Sequence, residues 1–189
     1  MNLHSNKTLI FSYRVERSLQ RFRELIVYCS DRSKNDPDFG SVKLNKILYF
    51  SDFMAYERFG QPLTGVVYQK LEHGPAPRAM LHVRRELIDE GVISLKTVSV
   101  FGLKQQRTVA HRKAIMNLFF ADEVALVDEV IESLTGQNAK DVSLRSHDLR
   151  WKSVHLGDDI PYDFIYLDTS ELTPEDVKRS HELSEQLGW

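Results

Sequence analysis

The sequence predicts a mainly helical α+β fold, in which a central buried helix is wrapped by other helices and a small β-hairpin is attached. Two patterns carry this prediction. Ten of the sixteen residues from Leu44 to Phe59 are apolar or aromatic and lie all round a helix, which indicates burial on more than one side. Residues Val92–Ala110 alternate apolar and polar side chains on both sides of Gly102, which is typical of a hairpin.

The elements up to the end of the central helix are predicted from the spacing of apolar residues and from residues that cap helices. Residues 8–12 fit either a short strand or an arm docked on the core. Apolar residues at helical spacing predict a first helix over Val15–Cys29, and a polar loop with a proline follows over Asp31–Gly40. Ser41 is the expected N-cap of the central helix, Val42–Phe59. We expect Gly60 to end this helix in a left-handed conformation.

The stretch after the central helix combines strand, turn and helix signals. Val66–Leu71 is rich in β-branched and aromatic residues and predicts a short strand. A helix is expected over Pro77–Glu90, since proline at the first helical position loses no intrahelical hydrogen bond. Between them, Gly74 permits a bend, and Pro75 and Pro77 fix the backbone. This loop is therefore expected to be a rigid elbow that launches the helix.

The last third of the chain predicts three further elements and a tail. Apolar spacing predicts helices over Asp122–Leu134 and Ser143–His155, and Ile160–Leu167 is typical of an edge strand. Thr173 and Pro174 are suited to open a final helix. We therefore expect a single domain over residues 1–168 and an acidic helical extension over residues 169–189.

Composition narrows the class of protein. The chain has 189 residues and a single cysteine, Cys29, so an intrachain disulfide is excluded. It shows no charged-then-apolar leader and no run long enough to span a membrane, so we expect a soluble cytoplasmic protein. Residues 68–120 carry nine Lys/Arg against four Asp/Glu, whereas residues 121–189 carry six against sixteen. This polarity suits a charged partner, or two solvated faces that neutralise each other.

Catalytic signatures are missing from the sequence. It contains no phosphate-binding GxxxxGK[ST] loop, GxGxxG, GxSxG or HExxH motif, so nothing in these patterns demands an enzyme, and we expect no metal site. Cys29 falls on the apolar stripe of its helix, which favours a structural thiol. His147 and His155 flank Trp151 at spacings of four, too far apart on a helix to share one metal. An enzyme built around these three residues stays as an alternative.

A second alternative comes from the order of elements between residues 66 and 110. A helix followed directly by a hairpin resembles a winged-helix module, which binds DNA through a recognition helix and a wing. The basic residues that would contact DNA lie on the helix and on the hairpin: Arg78, His82 and Arg85, then Lys96, Lys104 and Arg107.

Four stretches together resemble the Panacea domain, also called the SocA-like antitoxin domain. They are "KLNKILYFSDF" (Lys43–Phe53), "FGQPLTG" (Phe59–Gly65), "YQKLEHGPAP" (Tyr68–Pro77) and "LRSHDLRW" (Leu144–Trp151). The resemblance spans roughly Leu19 to Leu167. The run "SDFMAYERFG" departs from the glutamine- and tryptophan-rich pattern of that family, and the acidic tail lies outside the resemblance.

The resemblance implies a non-enzymatic antitoxin, in a family with phage-associated and chromosomal members. Such a domain is expected to neutralise a toxin encoded nearby by binding it directly, and to deliver it in some cases to a AAA+ protease such as ClpXP. No cofactor is implied. The motif match, with Arg85 added from the basic helix, predicts these partner-binding residues: Lys46, Tyr49, His73, Gly74, Pro75, Arg78, Arg85, His147 and Trp151.

Overall fold

A computed structural model describes residues 9–100, 102–167 and 174–187 of the chain. Its core surrounds helix α2 (Ser41–Phe59), in which Leu48, Tyr49 and Phe53 are completely buried. Three helices pack against α2: α1 (Ser18–Arg32), α4 (Ala121–Leu134) and α5 (Ala139–Ser146). The prediction of a mainly helical α+β fold with a central buried helix is therefore confirmed.

The two ends of α2 differ in how well the sequence predicted them. Gly60 has φ +74° and its N–H donates to the Tyr56 carbonyl at 2.9 Å, so the left-handed C-cap is confirmed. The expected N-cap is wrong. Gly40 occupies the cap position, and Ser41 is the first helical residue, with its hydroxyl donating to the Gln106 carbonyl at 3.1 Å. A contact with the distant hairpin thus takes the hydroxyl that would have capped the helix.

The segment before α2 is displaced by three residues from its prediction. Helix α1 begins after Arg17, whose φ of 55° is left-handed, and extends to Arg32 instead of ending at Cys29. Residues 9–12 form a docked arm: Ile10 donates to the Asp163 carboxylate at 2.8 Å and accepts from the Tyr162 N–H. Thr8, the start of the predicted strand or arm, lies outside the described residues.

The stretch expected to be a loop is a β-hairpin, so the rigid-elbow prediction is wrong. Strands β1 (Tyr68–Leu71) and β2 (Gly74–Pro77) pair antiparallel across a two-residue turn. A further strand, β5 (Asp159–Ile160), pairs with β1 and makes the order β2-β1-β5. Pro77 consequently ends a strand and does not open the following helix.

Strand β2 tolerates two prolines because it lies at the edge of its sheet and the prolines occupy positions whose backbone nitrogen faces away from β1. Pro75 and Pro77 are two residues apart, so both ring nitrogens face the same side of the strand. That side points away from β1, because the hydrogen bonds between the two strands are made by the residues that alternate with the prolines. Arg78, the residue after Pro77, shows this alternation: its N–H donates to the Val67 carbonyl at 2.9 Å. Neither proline therefore removes a ladder hydrogen bond.

The elements after β2 follow the prediction more closely. Helix α3 (Met80–Asp89) is three residues shorter at its start than expected. Strands β3 (Ile93–Val100) and β4 (Leu103–Ala110) pair in register over their whole length, with Gly102 at φ +79° in the turn. The hairpin predicted over Val92–Ala110 is confirmed.

Two predictions in the last third are corrected. The single helix expected over Ser143–His155 is divided into α5 and a short α6 (Leu149–Lys152), because the Asp148 carboxylate accepts the Trp151 N–H at 3.1 Å and starts a new helix. The strand expected over Ile160–Leu167 is only β5 followed by a 3-10 segment, Tyr162–Tyr166.

The final helix is confirmed as α7 (Pro174–Leu187), while its expected cap, Thr173, lies outside the described residues. The domain boundary at residue 168 stays a prediction. No helix within the described ranges is both long enough and apolar enough to cross a membrane.

Candidate partner-binding site

Seven of the nine predicted site residues meet where the β1–β2 hairpin packs between α2 and the α5–α6 segment. We call this region the hairpin joint and define it by Lys46, Tyr49, His73, Gly74, Pro75, His147 and Trp151. The four residues of β2 are buried, and β2 contacts α2 on one side and α5 on another. Three of the four family-like stretches, which are distant in sequence, therefore meet in one structural unit.

Lys46 lies at the base of the hairpin joint. Lys46 is only 2% exposed, and its ammonium group donates to the Pro75 carbonyl at 2.8 Å. That carbonyl is available because the N–H and C=O positions of a strand residue point to the same side, and Pro75 turns this side away from β1. Burial lowers the pKa of Lys46 to about 7.

Gly74 allows α2, β2 and α5 to approach one another. Its φ of +92° lies in the region that favours glycine. A methyl group at this position would overlap the Ser146 hydroxyl oxygen and would stand 2.8 Å from the Lys46 ammonium nitrogen. The glycine is thus required by both conformation and space.

A stack of three side chains covers the outer side of the joint. The His147 and Trp151 rings are parallel within 11°, with centroids 3.9 Å apart, and the Lys70 ammonium lies 4.0 Å from the Trp151 ring centroid. The Trp151 indole N–H donates to the Leu71 carbonyl at 3.1 Å. Although the predicted single helix is broken at this point, the two rings still meet.

The stack places an imidazole in an electropositive setting. Desolvation lowers the pKa of His147, and the nearby Lys46 and Lys70 charges lower it further. The His147 Nε2 atom is buried and has no hydrogen-bond partner among the described residues. We therefore expect a neutral imidazole at pH 7.

Asp148 organises the α5–α6 break. Besides capping α6, its carboxylate accepts from the Arg150 Nε at 2.8 Å and lies 3.5 Å from the Tyr49 hydroxyl. Tyr49 is itself completely buried against Phe53 and Tyr68, with ring centroids 4.5 and 5.5 Å away. Tyr49 is accordingly a core residue that orients the site from beneath.

His73 lies at the exposed tip of the β1–β2 turn. Its carbonyl accepts from the Ser143 hydroxyl at 2.6 Å, which fixes the turn against α5, while the residue itself is exposed. His73 is therefore the member of the joint best placed to meet a partner from solvent.

Arg78 and Arg85 lie outside the hairpin joint. The expected position of Arg78 on the helix, beside His82 and Arg85, is wrong. Arg78 precedes α3, and its guanidinium contacts the Asp159 carboxylate, the Gln69 side chain at 3.0 Å and the Gly157 carbonyl at 2.7 Å. It therefore holds the sheet together. Arg85 is on the exposed face of α3.

Sequence reasoning missed three residues that contact the joint: Lys70, Ser146 and Asp148. Lys70 donates to the Val154 carbonyl at 2.7 Å in addition to its stacking on Trp151. The signal for Asp148 was present, because an aspartate three residues before Trp151 fits the N-cap pattern. Lys70 and Ser146 have no such local signal.

A buried carboxylate cluster supports the joint from the core. Asp52 is completely buried and accepts from the Thr64 N–H at 2.7 Å, from the Thr64 hydroxyl and from the Tyr68 hydroxyl at 2.8 Å. Burial raises its pKa to about 6 despite these hydrogen bonds. The cluster fixes the start of β1 relative to α2.

Other reactive residue types take structural positions. Cys29 is completely buried, and desolvation raises the pKa of its thiol. His155 is exposed and lies outside the His147–Trp151 stack. Within residues 9–100, 102–167 and 174–187, no group of three or more His, Cys, Asp or Glu side chains could hold a metal ion.

Comparison with protein families gives a match that covers the hairpin joint. The family model described as "Antitoxin SocA-like, Panacea domain" matches residues 44–152, more than half of the 189 residues. Its span includes α2 from Leu44 onward, both hairpins and the α5–α6 segment up to Lys152. No curated protein and no solved structure matches the chain.

Proposed function

This chain belongs to the SocA-like antitoxin family with its Panacea domain, and on that premise we propose that it neutralises a cognate toxin by binding it directly. The family indicates an antitoxin role and suggests a non-catalytic protein. The finer statements are our proposal: the toxin is encoded nearby, it is occluded by contact, and the hairpin joint is part of the contact surface.

The observation that carries the proposal is the convergence of the family-like stretches on the hairpin joint. Residues up to 105 positions apart, such as Lys46 and Trp151, contact the two strands of one short hairpin. The joint presents the exposed His73 and the half-buried Trp151 on a stiff support. A preformed surface of this kind loses little conformational entropy when it binds.

Co-expression with the product of the adjacent gene tests the proposal. We expect that product to arrest growth alone and to be harmless when this chain is present. A matched pair locates the contact: His73→Glu is expected to abolish protection, whereas His111→Glu, an exposed histidine beside the other hairpin, is expected to preserve it. Arrest that continues in the presence of the wild-type chain would refute the antitoxin role.

Delivery of the bound toxin to a AAA+ protease such as ClpXP is a separate part of the proposal. The half-life of the toxin should then be shorter with this chain than without it, and only in cells that contain the protease. An unchanged half-life together with intact neutralisation would indicate occlusion alone.

A second candidate function, DNA binding with autoregulation, is favoured by the charge of the β3–β4 hairpin. Residues 91–121 contain five Lys/Arg and no Asp/Glu. Three of these cations are engaged within the protein: Arg107 with loop carbonyls, Arg112 with Glu24 and Lys113 with Asp31. Lys96 and Lys104 are exposed, and no ion pair involves them in the described part of the chain.

A gel shift on the DNA upstream of the gene, over a series of salt concentrations, tests this second function. Binding through phosphates should weaken as salt rises, and the Lys96→Met, Lys104→Met double variant should show a smaller salt dependence. A salt-insensitive result, or an unaltered shift in the double variant, would exclude the hairpin as the DNA contact.

A further inference from the structure

Two lysines of α2, three residues apart, are buried in different ways. Lys43 is 1% exposed and donates to the Asp36 carboxylate at 2.7 Å, so its charge is neutralised inside the protein. Lys46 is 2% exposed and has a neutral acceptor, the Pro75 carbonyl. No carboxylate lies within ion-pair distance of Lys46 in the described ranges. A buried ammonium without an opposite charge is costly and rare in folded proteins.

Lys46 lies at the wall of a groove that opens to solvent. The groove has a volume of about 600 Å³ and runs between the start of α2 and the β1–β2 hairpin. Its polar lining near Lys46 comes from His73 and Gly74, and its apolar lining includes Leu71 and Leu156, which are 40% and 67% exposed. An exposed apolar rim around one buried cation is a feature of a binding site.

The start of α2 adds a second source of positive potential to the same groove. Ser41 and Val42 line it, and no side chain caps the helix at Gly40. The first turn of a 19-residue helix, where the dipole has its positive end, thus contributes Ser41 and Val42 to the wall of the groove. The groove has one acidic lining residue, Glu72, which is exposed in the hairpin turn and forms no ion pair with Lys46.

We infer that this groove binds an acidic side chain of the toxin, flanked by apolar residues, and that Lys46 is the counter-ion of its carboxylate. This inference rests on the proposed function for the identity of the partner. The groove supplies the cation and the helix N-terminus, and the partner supplies the missing negative charge. The apolar rim then contacts the residues on either side of the acidic one.

The shape of the site favours a side chain over a chain terminus. Lys46 is 2% exposed at the wall of the groove, so we expect the carboxylate to reach it on an extended aliphatic stem such as that of glutamate. A terminal carboxylate is attached to a backbone unit and a side chain of its own, which need more width. Lys46 also has two further N–H donors beyond the one that Pro75 accepts, which suits a two-oxygen acceptor.

The first test compares the affinity of the toxin for three forms of the full chain. Lys46→Met keeps the length of the side chain but removes the charge, and we expect a loss of affinity of about 10- to 100-fold. Lys178→Met removes an exposed charge on α7 and should change affinity less than twofold. Thermal unfolding of each variant verifies the fold, and unchanged toxin binding by a folded Lys46→Met variant would overturn the inference.

The second test uses the wild-type chain and needs no toxin. The amide NMR signals of Val42, Lys46 and Gly74 are followed during titration with acetyl-Leu-Glu-Leu-amide, acetyl-Leu-Gln-Leu-amide and acetyl-Leu-Leu with a free carboxyl end. We expect shifts with the glutamate peptide at concentrations at least tenfold lower than with the other two. Equal shifts with the glutamine peptide, stronger shifts with the free-acid peptide, or no shifts would each contradict the assignment.

The two tests separate failure of the inference from failure of the proposed function. If the wild-type chain does not neutralise the toxin but binds the glutamate peptide at the groove, the antitoxin role fails and the carboxylate site stands. If it neutralises the toxin while the peptide test is negative and Lys46→Met retains full affinity, the antitoxin role stands and the site is elsewhere.

Discussion

The two antiparallel hairpins of this protein are held in place by different means. The β1–β2 hairpin has four-residue strands, and α2, α5 and β5 surround it, so that all four residues of β2 are buried. The β3–β4 hairpin has eight-residue strands in a separate two-stranded sheet, and polar side chains along it are exposed. The first owes its stability to tertiary packing, and the second to its own cross-strand pairs together with contacts on one face.

This difference explains where each hairpin is expected to be sensitive. A change in the turn of the buried hairpin must displace helices, whereas the same change in the exposed turn displaces only solvent. The turn glycines, Gly74 and Gly102, allow a direct comparison because both have positive φ angles, +92° and +79°.

The largest expected effect is that of Gly74→Ala. We expect a decrease in the free energy of unfolding of about 3 kcal/mol, from backbone strain together with the overlap with Ser146 and Lys46. Gly102→Ala, where no described atom beyond the adjacent residues lies within 4 Å of the added carbon, should cost about 1 kcal/mol from the backbone alone. Urea unfolding measures both losses. Equal losses would show that the groups around Gly74 move aside at little cost in free energy.

Trp151→Ala should have the next largest effect. It removes the stack with His147 and Lys70 and the hydrogen bond to the Leu71 carbonyl, and we expect a loss of about 2 kcal/mol. Val109→Ala, at a 36% exposed position of β4, is the comparison and should cost less than about 1 kcal/mol. The difference between the hairpins would disappear if the two losses were alike.

The lowered pKa of Lys46 predicts that the free energy of unfolding depends on pH. Burial lowers its pKa to about 7, so between pH 7 and the unfolded value near 10.5 this lysine binds more protons in the unfolded chain, and its contribution to stability rises with pH. Over pH 7 to 8, where the Cys29 thiol of the unfolded chain is still mostly protonated, we expect a gain of about 1 kcal/mol.

The control for this pH dependence is a pair of variants. Lys46→Met should flatten the rise, whereas Lys178→Met should leave it as in the wild type, because Lys178 is exposed. Urea unfolding at several pH values provides the measurement. A rise of the same size in Lys46→Met would assign the dependence to another group.

The smallest expected effect concerns the contact that ties the exposed hairpin to the rest of the protein. The Arg107 guanidinium donates to the Lys34 carbonyl at 3.1 Å and to the Asp36 carbonyl at 2.8 Å. Since Arg107 is only half-buried and water can replace part of its hydrogen bonding, Arg107→Ala should cost less than about 1 kcal/mol. A loss above that of Trp151→Ala would mean that the exposed hairpin depends on tertiary contacts as much as the buried one.

The sequence predicted the elements whose signal is local. Helix α2 was recognisable because apolar residues surround its axis, and the β3–β4 hairpin because its alternation repeats on both sides of Gly102. The family could also be recognised, since its motifs are short runs of consecutive residues. Lys46, His73, Gly74, His147 and Trp151 were predicted as site residues in this way, without knowledge of what each contacts.

The tertiary structure decided what depends on neighbours distant in the chain. A strand of sequence Gly-Pro-Ala-Pro has no local preference for β-structure, and it becomes one only because β1 pairs with it and two helices cover it. The same packing recruits the Ser41 hydroxyl to the β4 backbone and buries the Lys46 ammonium against a carbonyl. Periodicity along one segment reports which face is buried, but the identity of the group across that face is set by the whole fold.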